Sequence, residues 1–84
     1  MDYRIEGTDP AFLINEVTGE RYELAPDQFS TNASHLRDQA AFVEAIEGCK
    51  AAVAVIYLTS ADTIQVEGDA NSLYAFAREF ESLA

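Results

Sequence analysis

The 84-residue sequence is poor in the side chains from which most active sites are built, with one histidine and one cysteine. Cys49 has no second thiol for an internal disulfide, which fits a reducing compartment. One Cys and one His cannot supply the several ligands of a closed tetrahedral zinc site. A nucleophilic hydrolase needs Ser, Cys or Thr beside a base that a third group orients. His35, the only imidazole, falls where a helix is expected to begin, as a solvated side chain. Cys49 follows that helix as a small buried apolar group, with no cationic cluster placed to activate its thiol. Gly7, Gly19, Gly48 and Gly68 stand singly at expected turns, so neither a Walker loop nor a dinucleotide fingerprint is present. The longest apolar run, Ala51 to Leu58, is far shorter than the roughly 20 residues that span a bilayer. The opening Met-Asp-Tyr-Arg lacks a signal-peptide pattern, and a cytoplasmic location is expected.

Basic residues are scarce too. Five Lys and Arg stand against fifteen Asp and Glu, a formal net charge of −10. That balance disfavours nucleic-acid backbones and anionic membranes as direct partners. Acids alone could still take Ca²⁺ or Mg²⁺, but no Asp-x-Asp-x-Asp-Gly pattern occurs, and Glu44 with Glu47 or Glu79 with Glu81 fall on expected solvated helix positions. Glycoside-type carboxylate pairs need an enclosed pocket that so small a fold offers little room for. The expectation is therefore no catalytic residue, no metal and no cofactor.

What the chain has in plenty is patterned hydrophobicity, 49% of residues, in globular proportion to 24% charged ones. One domain spanning residues 1 to 84 is expected, with a surface of roughly 4,900 Å². Tyr3 and Ile5 alternate with polar neighbours, so residues 2 to 6 read as an edge strand. Ala11 to Glu16 and Arg21 to Leu24 flank Val17-Thr18-Gly19-Glu20 as a hairpin. Helical spacing then begins near Leu36, with Ser34 or Thr31 as N-cap and Gly48 as the stop. Phe42, Val43, Ile46 and Cys49 form its apolar set.

Ala51 to Leu58 reads as the core strand, and Thr63 to Glu67 alternates as its antiparallel neighbour across a Ser60-Ala61-Asp62 turn. Asp69 caps a last helix that carries Leu73, Phe76, Ala77, Phe80 and Leu83 on one face. The order hairpin, helix, hairpin, helix predicts an α+β fold, a small antiparallel sheet with two helices packed on one face. The expected core is Phe42, Val43, Ile46, Val53, Val55, Ile64, Val66, Leu73, Phe76, Phe80 and Leu83. The sheet's other face is expected to offer Tyr3, Tyr22, Tyr57 and Gln65 to a partner.

Thr63-Ile64-Gln65-Val66-Glu67-Gly68-Asp69-Ala70-Asn71-Ser72-Leu73, followed by Phe76-Ala77-Arg78-Glu79-Phe80, resembles the strand, Gly-Asp turn and Leu-rich helix near the C-terminus of small bacterial immunity proteins from polymorphic toxin systems. The resemblance covers about a quarter of the chain and implies a protein that neutralises a cognate toxin in the cytoplasm. It carries over no functional residue. The acidity itself points to a basic partner protein, a toxin nuclease or a defence complex, met by electrostatic complementarity. Phage anti-defence proteins of the anti-CRISPR type, acting by occlusion or nucleic-acid mimicry, are the alternative, and a homodimer the other assembly to test. Glu16, Glu20 and Glu23 flank Tyr22, an aromatic anchor with an acidic rim, and these four are the expected partner-binding residues.

Overall fold

A computed structural model describes residues 2–84. The chain is an α+β domain with strands β1 (Tyr3–Glu6), β2 (Phe12–Asn15), β3 (Arg21–Glu23), β4 (Ala52–Tyr57) and β5 (Thr63–Gly68) and helices α1 (Phe29–Ala45) and α2 (Ala70–Leu83). The strands form two antiparallel sheets rather than one, β1-β2-β3 and β4-β5. A single bridge between Leu24 and Leu58, with Thr59 N–H donating to the Glu23 carbonyl at 3.2 Å, ties the sheets at one corner.

Both expected hairpins form. β2 and β3 pair with Leu13 opposite Tyr22, and Gly19 takes the φ of +79° that the turn requires. β4 and β5 pair with Ala54 opposite Val66 and Ile56 opposite Ile64. These four side chains face inward, so Val53, Val55, Tyr57, Thr63, Gln65 and Glu67 share the outer face.

The first helix differs most from the expectation. It begins at Phe29, seven positions before Leu36, and Ser34 and Thr31 lie inside it. A 3₁₀ turn, Pro26–Gln28, leads straight into it, and Gln28 caps it without a side-chain bond. Proline's fixed φ suits a first helical turn, so Pro26 starts the helical path rather than only ending the hairpin. The buried stripe is Phe29, Asn32, Ala33, Leu36, Ala40 and Val43. Phe42 and Ile46, placed in the core by their spacing, are exposed, because they fall on the next stripe round the cylinder. The helix ends when Ile46 turns extended at φ −100°, before Gly48 takes its left-handed φ of +83°.

Val53 is also exposed, and Val55, Ile64 and Leu83 are half-buried. A two-stranded sheet is covered on one face only, so the apolar residues of β4 divide between core and surface. Tyr3 and Tyr22, expected on the open face, pack instead against the core with Ile5. α2 matches the expectation closely. Asp69 Oδ1 accepts from the Ser72 amide at 2.8 Å, and Leu73, Phe76, Ala77 and Phe80 are buried.

One core joins all the elements. Phe80 lies with its ring centroid 5.3 Å from that of Phe76 and 6.3 Å from that of Phe29, and Leu13, Leu24, Leu36, Ile56 and Val66 surround the cluster. Truncating Phe76 or Phe80 to alanine removes a fully buried ring and should cost about 3 to 5 kcal/mol, a large share of a small domain's stability. Phe42→Ala should stay within about 0.5 kcal/mol of the parent. Chemical denaturation of the three variants checks the contrast, and a Phe42→Ala loss as large as that of Phe76→Ala would place Phe42 in the core after all.

Candidate partner-binding surface

The four expected residues do not share a face. On β3, Arg21 and Glu23 point outward, and Tyr22 points to the core side beside Leu13. The Tyr22 hydroxyl donates to Glu20 Oε2 at 2.8 Å, so only these two of the four meet. The phenol's pKa is raised by that bond, since losing its proton would set two anions together.

Glu16 and Glu23 lie with the outer face of the first sheet, where charge is largely balanced internally. Arg4 sits 2.8 Å from Glu6 and 3.8 Å from Glu16, and Arg21 sits 3.7 Å from Glu6. Arg21 also stacks 4.6 Å over the centroid of Phe12. The Arg4 hydrogen bond and charge hold the Glu6 carboxyl below its ordinary value.

A second surface, which the sequence reading missed, forms where α1 runs along the edge of β4. Asn32, wholly buried on α1, accepts from the Tyr57 amide at 2.9 Å and donates Nδ2–H to the Tyr57 carbonyl at 3.2 Å. One side chain thus supplies both bonds that a neighbouring strand would have made. One turn on, His35 Nδ1 lies 3.1 Å from the Val55 carbonyl, and because a carbonyl only accepts, Nδ1 carries the proton. The pairs Asn32 with Tyr57 and His35 with Val55 set α1 antiparallel to β4.

Beyond them lies an open groove of about 200 Å³, lined by His35, Asp38, Gln39, Val53, Val55 and Tyr57. The imidazole of His35 is 5.5 Å from the Tyr57 ring, centroid to centroid. His35 is therefore half-buried in a defined setting rather than a solvated side chain at a helix start. Among the described residues, no three His, Cys, Asp or Glu side chains converge as a metal site. Cys49 is half-buried at the edge of the core, and its thiol donates to the Ala51 carbonyl at 3.4 Å.

On the opposite side of α1, Arg37 grips Glu81 of α2 with two bonds, 2.7 and 2.5 Å, and Tyr74 donates to Glu44 at 2.8 Å. The guanidinium holds the Glu81 carboxyl below its ordinary range, while partial burial pushes Glu79 upward. Arg4, Arg21 and Arg37 are thereby engaged within the chain, and among the described residues Glu6, Glu16 and Glu81 are the acids they pair with.

Asn32→Ala removes both partners of Tyr57's backbone and should cost about 2 to 4 kcal/mol, from two polar groups left without their bonds. A melt within about 0.5 kcal/mol of the parent would show that water replaces the amide freely. Glu81 supplies a pH-dependent test. Because its folded pKa is lowered, the Arg37 pair stabilises above the ordinary value near 4.5, and that contribution disappears as pH falls through the lowered value. Glu81→Gln should therefore melt below the parent at neutral pH, with the difference closing once the carboxyl of the parent is protonated. A difference that persists unchanged at the acid end would assign the effect to packing.

Compared with protein-family models, with curated proteins and with solved structures, the chain matches none, so the functional reading rests on the chemistry of its own surface.

Proposed function

We propose that the chain is a stoichiometric, non-catalytic inhibitor that binds and neutralises a basic partner protein, as an immunity protein does its toxin. The observation that carries this reading is the allocation of charge. A surface of 4906 Å² carries a formal charge of −10, and three of the five basic side chains are spent on internal ion pairs. Asp2, Asp9, Asp27, Asp38, Asp62, Glu47 and Glu67 are all exposed to solvent. A field of that sign speeds encounter with a cationic surface and slows encounter with nucleic acid or with a second copy.

Inhibition requires only a rigid, complementary face, and a domain with one shared core supplies rigidity without an enclosed active site. The reading is tested by affinity capture from the native host, with the captured protein identified, purified and titrated at two salt concentrations. The expected result is a basic protein whose activity is abolished at one equivalent. Its association should slow severalfold between about 50 and 200 mM salt, as screening shortens the reach of the field. An acidic partner, a rate indifferent to salt, or turnover of a substrate would overturn it.

A further inference from the structure

We infer that the groove between α1 and the edge of β4 is where the basic partner docks, and that its occupant is an extended segment carrying alternating cationic and apolar side chains. The inference rests on the proposed function and assigns it a place.

Exposed apolar area is concentrated there. Of the large hydrophobic residues that stand in solvent, Val53 at 42% and Tyr57 at 36% line the groove. Phe42 at 52% and Ile46 at 47% extend the α1 stripe that runs through His35 and Gln39, at helical spacings of three and four. Among the described residues only Val17, at the tip of the first hairpin, lies elsewhere. These residues are apolar by sequence yet absent from the core, and exposed apolar groups rimmed by polar ones mark an interaction surface.

The rim supplies the sign of the partner. Asp38 lines one wall, and Glu67, opposite Val53 on β5, stands on the same outer face. No Lys or Arg lines the groove. The first hairpin offers the reverse arrangement, since Arg4 and Arg21 lie among its acids and its tyrosine turns inward.

The backbone supplies the shape. Tyr57 gives both its N–H and its C=O to Asn32, so its pair with Thr63 is a non-hydrogen-bonded one. The antiparallel alternation then directs the backbone groups of Val55 and Val53 away from β5 as well. The Val55 carbonyl meets His35, as that alternation requires. By that alternation the Val55 N–H and both backbone groups of Val53 turn toward α1 rather than toward β5. They lie on the side of β4 along which α1 runs, where an extended segment seated in the groove can reach them while its alternate side chains meet Val53 and Asp38.

The test uses the ¹⁵N-labelled protein and a capped heptapeptide of alternating arginine and valine, with glutamate-valine and arginine-serine heptapeptides as controls. The arginine-valine peptide should shift the amides of His35, Asp38, Val53, Val55 and Tyr57. Asp38→Lys, a change at an exposed helix position, should weaken that binding about tenfold. Joint replacement of Glu20 and Glu23 by Gln should leave it within about twofold. Shifts centred on the first hairpin would overturn the groove and leave a basic partner standing. Equal binding of the glutamate peptide would overturn both readings. Equal binding of the arginine-serine peptide, or no binding of any, would overturn the groove. Concentration-dependent shifts without peptide, together with a doubled mass by light scattering, would instead assign the face to a second copy of the chain.

Discussion

The bond pair between Asn32 and the Tyr57 backbone is the constraint on which the rest of the architecture depends. A strand in the middle of a sheet satisfies its N–H and C=O groups through neighbours on both sides, and β4 has a strand neighbour on one side only. On the other side, Asn32 and His35 take the positions that the chain after Leu24 would fill if its antiparallel pairing with Leu58 continued. The sheets meet at one bridge because a helix occupies the edge beyond it. A buried amide is costly to leave unmatched, so this contact fixes the rotation and height of α1 against β4. With α1 so held, the stripe of Phe29, Leu36 and Val43 faces the core, and the stripe of Phe42 and Ile46 faces outward.

That arrangement explains which parts of the fold were legible in the sequence. α2 was legible because Leu73, Phe76 and Phe80 are large, and Asp69 is a cap whose bond to Ser72 forms as expected. Turn residues likewise marked both hairpins, with Gly19 at the first. α1 was misread at both ends because its buried side is built largely from Asn32, Ala33 and Ala40, which carry little hydrophobic signal. Phe42 and Ile46 drew the apparent stripe toward themselves. Spacings of three and four identify a helix face without saying which of two apolar faces is buried. The three-dimensional partner of Asn32 lies 25 residues away, and no local pattern announces it.

The candidate surface was hidden for the same reason. Clustered acids beside a tyrosine drew attention to the first hairpin, but strand alternation sets Tyr22 and Glu23 on opposite faces. Cross-strand neighbours then bring Arg4 and Arg21 to the acids. His35 seemed a solvated residue at a helix start, and only the true start of α1 at Phe29 places it beside Val55. Linear proximity of charges is therefore a poor guide to a patch in a β-rich region, where a residue's face changes at every step.

Exposed apolar side chains on a small domain ordinarily invite self-association, and here the net charge opposes it. Two copies that brought their grooves together would also bring together Asp38 and Glu67 from each, in a chain already carrying −10. Desolvating like charges at one interface is unfavourable, whereas a cationic segment would neutralise the same groups while covering Val53 and Tyr57. The acidity and the apolar stripe thus act together. In the proposed complex the charge would disfavour self-pairing and select a cationic partner, and the stripe would supply the area of the contact.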